Sequence, residues 1–261
     1  MAWTRYVAIG DSFTEGVGDP SPDGTGWRGW ADEVATRLAA QEPGVEYANL
    51  AVRGVRLDQI VSHQVPAALT LRPDLVSICA AGNDFLLPRV DPDRLAARAE
   101  EGVARIRATG ADALLFTGFD PRHMRMMRRR RGRIAVYNEL LHGVAERHGA
   151  LLVDLWAVRA LTDPRARVED RLHLSPGAHR RVAARVGEVL GLPPVGDWRT
   201  PWPDEGDRPW RVRRRGDVEF VRRHLAPWTS QRLRGHSPGR GRTAKRPALG
   251  PVDADQLRSI R

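Results

Sequence analysis

The chain has 261 residues, enough for one large α/β domain with a sizeable core plus an appendage. Hydrophobic residues at 41% and charged residues at 28% exclude a disordered or fibrous chain, and the single cysteine, Cys79, excludes an internal disulfide framework and any multi-cysteine metal site. The net charge of +10 is uneven: residues 193–261 hold 16 of the 42 Arg/Lys and 8 of the 32 Asp/Glu, so a nearly neutral body carries a basic tail.

Short apolar runs alternate with longer amphipathic segments, which predicts strands at Tyr6–Ile9, Val45–Asn49, Leu75–Ala80, Ala113–Thr117 and Leu151–Leu155. Between them, Trp27, Trp30, Val34 and Leu38 recur at helical spacing on one apolar face. Leu57 to Leu69 reads as a second helix with a kink or early stop at Pro66. Asp91-Pro92 caps a third helix that runs to Thr109, and Ile134 to His148 is a fourth. Ser175-Pro176 opens the last, which carries Ala178, Val182, Val186 and Val189 on one face and stops at Gly191. Cys79 lies in the third apolar run and reads as a small buried hydrophobe. The expected architecture is a three-layer α/β/α, flavodoxin-like fold with a five-stranded parallel sheet, spanning residues 1–192. A Pro/Arg-rich extension follows over 193–234, with a short helix at Asp217–Trp228, and disorder is expected over 235–261. No apolar stretch approaches the ~20 residues of a membrane span. The N-terminal apolar run is too short for a signal peptide, so a cytoplasmic protein is expected.

Four separated segments carry chemistry. Gly10-Asp11-Ser12 ends the first strand, where a sheet's C-terminal edge opens to ligands; alone it reads equally well as a turn. It is not Gly-x-Ser-x-Gly, so it is no nucleophile elbow. Gly54 follows the second strand, either baring a backbone N–H to a substrate oxygen or simply meeting a positive φ. Asn83 follows the third, as a neutral donor or as an Asx turn. Asp170 and His173 share one tight loop before the last helix, a spacing that lets the carboxylate orient the imidazole. Of the eight histidines, His173 alone combines that spacing with a place at the expected edge; His63, His142, His148 and His179 fall in predicted helices.

In this order the four segments resemble the SGNH/GDSL hydrolase family over roughly residues 4–191, with Leu174 where the family often has proline. The resemblance implies a serine esterase or acylhydrolase with no metal and no organic cofactor. It implies Ser12 as nucleophile, His173 as general base and Asp170 as its orienting acid. The oxyanion would be held by the N–H groups of Ser12 and Gly54 and the Asn83 amide. Asp11 is expected to support the turn around Ser12.

The resemblance leaves the substrate open among small-molecule, lipid and carbohydrate esters. The loop after the fourth strand holds six arginines between Arg125 and Arg133, of which Arg125, Arg128 and Arg129 are candidates for an anionic substrate group; the alternative is a solvated basic loop. Trp27 is a candidate platform for a sugar or acyl chain, the alternative being core packing. A competing reading is a binding protein on a hydrolase scaffold, its arginine-rich tail engaging nucleic acid or an anionic surface; acids at Asp204, Glu205, Asp207, Asp217 and Glu219 weaken it. A third has residues 197–230 folding back to bury their tryptophans on the body.

Overall fold

The computed structural model describes residues 3–125, 127–203 and 241–252. Five parallel strands form where the apolar runs lie: β1 (Arg5–Gly10), β2 (Glu46–Asn49), β3 (Leu75–Cys79), β4 (Asp112–Phe116) and β5 (Leu151–Val153). The sheet has six strands rather than five. Residues 246–251, inside the stretch where disorder is expected, form β6 (Arg246–Pro251) antiparallel to β2. Composition misleads there because a Gly/Pro/Arg-rich segment has little intrinsic β preference, and the exposed β2 edge supplies the ladder it pairs with. The order is β5-β4-β3-β1-β2-β6.

Side chains alternate across the strands with period two. Tyr6 and Ala8 of β1 face one layer, with Trp30, Val34 and Leu38 of α2 (Trp30–Gln41) and Val182 and Val186 of α7 (Pro176–Val189). Val7 and Ile9 face the other, with Val103 and Ile106 of α5 (Pro92–Arg107) and Leu141 and Val144 of α6 (Arg131–His148). Helix boundaries follow local chemistry. Asp91 caps α5 by accepting from the Asp93 and Arg94 N–H groups, Gly149 ends α6 in the left-handed conformation, and Pro176 sits in the first turn of α7.

Two helical expectations change. The 57–69 segment is not one kinked helix. It runs as α3 (Leu57–Gln59), a π-helical stretch at Ile60–Gln64 and α4 (Val65–Thr70), whose first turn contains Pro66. Proline has no N–H for the preceding turn, and the wider π-turn absorbs that loss. Trp27 lies outside α2, in a bridge with Pro20, whereas Trp30 is wholly buried.

The extension does not break away at residue 193. Buried Arg37 donates to Ala183 O at 2.7 Å and Pro193 O at 2.8 Å, tying α2 to α7 and to the start of the extension. Trp198 is buried and donates to Glu188, and Trp202 donates to Ala160 O. Trp198 is thus buried on the body and Trp202 half-buried against it, while the Asp217–Trp228 helix lies outside the described residues. No helix among the described residues is long and apolar enough to cross a membrane.

Candidate active site

Ser12 begins α1 (Ser12–Glu15), a single turn that leaves the C-terminal end of β1. Asp11 caps it: Oδ1 accepts from the Phe13 N–H at 3.0 Å. Gly10 has to be glycine, since a Cβ there would lie 2.6 Å from Cys79 O on the adjoining strand. Its peptide is gripped on both sides by Gln64, whose Oε1 accepts from Gly10 N–H at 2.8 Å and whose Nε2 donates to Gly10 O at 2.9 Å. The π-helical stretch therefore holds the strand end on which Ser12 depends. Nothing in the local sequence distinguishes Gln64 from any other helical polar residue.

Asn83 stands just beyond β3, and its amide donates to Asp11 Oδ2 at 3.1 Å and to Val55 O at 2.9 Å. The Asn83 turn, the Ser12 turn and the Gly54 loop thus meet at one point. Gly54 has φ +81°, the conformation that favours glycine. Its neighbour Arg53 locks the loop to α1: the Arg53 N–H donates to Glu15 Oε2 at 2.7 Å, and its guanidinium pairs with the same carboxylate. Burial pushes the Asp11 carboxyl up to about 6, against the lowering effect of the Phe13 N–H and of nearby His173.

The fourth segment forms a hairpin. Arg167 and Leu174 bridge its base, Ser175 N–H donates to Ala166 O, and Arg171 takes φ +56° at the tip. Asp170 Oδ1 accepts from the Leu172 and His173 N–H groups, each at 2.9 Å, while Oδ2 lies 2.5 Å from His173 Nδ1. Partial burial alone would raise the Asp170 carboxyl, but the imidazole and the two backbone donors outweigh it and hold it down at about 2. The carboxylate therefore stays ionised and fixes the ring. The hairpin packs directly on the chain leaving α1, where a Cβ on Gly18 would sit 2.1 Å from Leu174 O. Ser12 and His173 are both half-buried and are not hydrogen-bonded to one another.

Beside these groups a cavity of about 90 Å³ opens at the ends of β1, β3 and β4. Asp11 and Gly82 line it on the side of Ser12 and Asn83; Phe85, Phe119, Met127 and Tyr137 make much of the rest apolar. Arg125, Arg128 and Arg129 are exposed, and none lines the cavity. Their loop is organised instead by Asp120, 2% exposed, which pairs with Arg122 and with Arg131 at 2.7 Å. Trp27 is half-buried with the Arg53 guanidinium 5.7 Å from its ring centroid, so it neighbours the Gly54 loop without lining the cavity.

Solved structures share this architecture. An alpha/beta hydrolase enzyme from the metagenome of Lake Arreo, Spain, LAE5, is 26% identical with a TM-score of 0.61, covering 72% of this chain and 95% of its own. TesA is 23% identical, with a TM-score of 0.60 over 71% of this chain and 97% of its own. Axe2, an acetylxylan esterase from Geobacillus stearothermophilus, is 22% identical, with a TM-score of 0.58 over 75% and 95%. The last two likenesses speak to the fold alone. Comparison with curated proteins gives no match. The GDSL-like Lipase/Acylhydrolase family model matches residues 8–181, a span that contains the Ser12 turn, the Gly54 loop, the Asn83 turn and the Asp170–His173 hairpin. This chain belongs to that family of acylhydrolases.

Proposed function

We propose that the protein hydrolyses a carboxylic ester through an acyl-enzyme on Ser12. The observation that carries this reading is the Asp170–His173 pair at 2.5 Å, on a hairpin packed against the chain that leaves the serine's turn. His173, its Nδ1 held by an ionised carboxylate, presents Nε2 as the base. It takes the proton from Ser12 Oγ as that oxygen attacks the carbonyl carbon, and returns it to the leaving alcohol oxygen as the acyl C–O bond breaks. Water then repeats the sequence on the acyl-enzyme and releases the acid. The N–H groups of Ser12 and Gly54 and the Asn83 amide stabilise the developing oxyanion, Asn83 exchanging its bond to Asp11 for one to substrate. The loss of one such donor typically lowers kcat by about 10²–10³-fold.

The apolar cavity supports an ester whose acyl part is hydrocarbon rather than charged. The binding-protein alternative draws no support from the described part of the tail, where Lys245 and Arg246 are turned onto the body.

A fluorophosphonate probe should label the wild type and leave Ser12→Ala and His173→Ala unlabelled; equal labelling of Ser12→Ala would refute the assignment. A series of p-nitrophenyl esters then reads the cavity. Met127→Ala, by removing a buried wall residue, should move the preference towards longer acyl chains, each added methylene gaining on the order of tenfold in kcat/KM.

A further inference from the structure

The β6 segment reaches the site through one side chain. Lys245, the chain's only lysine, immediately precedes the strand. Its ammonium donates to Trp27 O at 3.1 Å and Arg28 O at 2.6 Å, and pairs with the Asp32 carboxylate. Three acceptors converge on the three N–H groups of an ammonium that is one-fifth exposed. The two carbonyls belong to the turn that leads into α2 and Asp32 to the first turn of that helix, whose N-cap Gly29 makes no side-chain cap bond. β6 itself is fixed by pairing Tyr47 with Gly250 and Asn49 with Arg246.

The gripped turn is in contact with the nucleophile helix. A Cβ on Gly16 would lie 2.1 Å from Arg28 O and 2.8 Å from Gly29 Cα, so the two backbones touch four residues after Ser12. Gly29 N–H also donates to the buried Asp19 carboxylate, which the Arg28 guanidinium pairs with. From Trp27 the path continues to Arg53 over its ring, to Glu15 on α1 and to Gly54 beside Arg53.

We propose that Lys245 is a positioning residue of the active site: by holding the Trp27 and Arg28 carbonyls it sets the turn that backs α1 and braces the Gly54 loop. The C-terminal segment, beyond the matched family region at residues 8–181, is then part of the catalytic scaffold. An arginine does not substitute for it, because a planar guanidinium cannot direct three donors to acceptors placed around a single nitrogen. The kinetic side of this inference rests on the esterase reading above; the structural side does not.

The test is Lys245→Met in the full chain, with Arg246→Ala as a strand control and Asp32→Asn as a second way to weaken the grip. Lys245→Met should lower kcat for a p-nitrophenyl ester on the order of tenfold, since small remote displacements of a reacting group are felt strongly, while KM stays within about twofold. Hydrogen exchange at the Arg53 amide, which donates to Glu15, should quicken by on the order of tenfold. Arg246→Ala should lower Tm and change neither reading. If Lys245→Met fails to fold, Asp32→Asn should show the same pair of effects, smaller in size. Wild-type kcat together with an unchanged Arg53 exchange rate overturns the proposal. Absence of Ser12-dependent turnover in the wild type would overturn the esterase reading instead, leaving Arg53 exchange to decide the role of Lys245.

Discussion

Asn83 donates twice in the resting site, to the buried Asp11 carboxylate and to Val55 O. One amide thus joins three loops that come from three different strands, which makes it a structural link as well as a candidate oxyanion donor. In the proposed mechanism, truncating it removes an oxyanion donor, and in the resting site it leaves a buried carboxylate and a carbonyl short of a partner. Asn83→Ala should lower kcat by about 10²–10³-fold and reduce stability by on the order of 1–3 kcal/mol per group left unsatisfied. Steady-state kinetics and urea denaturation on the same sample check the two effects; a loss of stability with wild-type kcat would remove Asn83 from the oxyanion hole. Asp170 and His173 were legible as a unit because a loop three residues long brings both ends together whatever surrounds it. Gln64 was not, because its role depends on a strand end 54 residues away.

At the scale of elements, the loop between β4 and α6 shows how charge is allotted. A sequence rich in arginine suggests a cationic surface aimed at substrate, yet Asp120 folds inward and claims Arg122 and Arg131. Burial by itself would raise its carboxyl; the two guanidiniums and the Arg122 N–H outweigh that and hold it at about 2, below the ordinary 3.8. A carboxyl whose pKa is lower in the folded chain stabilises the fold at pH values above the unfolded one. The contribution is complete above about pH 4 and is lost as the pH falls from there through 2. Asp120→Asn should therefore be less stable than the wild type at pH 6, and the gap should narrow steadily between pH 4 and 2 in denaturation curves. A gap independent of pH would mean that packing, not charge, anchors the loop. The predicted helix over 57–69 fails at this same scale: helical periodicity is present, but it cannot report the π-turn by which the chain passes Pro66 and presents Gln64 to β1.

At the scale of the molecule, the chain after α7 is bound to the body at widely separated points. Trp198 and Trp202 pack beside α7 and reach Glu188 and Ala160 O, with Arg185 and Arg181 near their rings. β6 closes the opposite part of the fold by covering the β2 edge, which would otherwise expose an unpaired ladder. Replacing both tryptophans by alanine should lower Tm by at least several degrees, because two large side chains leave apolar surface exposed together. Thermal unfolding of Trp198→Ala/Trp202→Ala against the wild type measures it, and an unchanged Tm would make the 193–203 segment a passive connection.

The sequence by itself determined the parallel sheet, its layering and the order of the chemical segments. Those depend on local periodicity, on capping residues and on the rule that an open sheet offers its loops at the C-terminal edge. It also determined the Asp170–His173 pair, whose geometry is set within one hairpin. Only the tertiary structure decided the sixth strand, the Gln64 clamp on Gly10, the pairing of Asp120 with Arg122 and Arg131, and the grip of Lys245 on the turn behind Ser12. The strand, the clamp and the Lys245 grip join residues far apart in the chain through hydrogen bonds or ion pairs, and the Asp120 pairs form because that carboxylate is folded inward. A polar residue carries no mark of its partner until packing brings the two together.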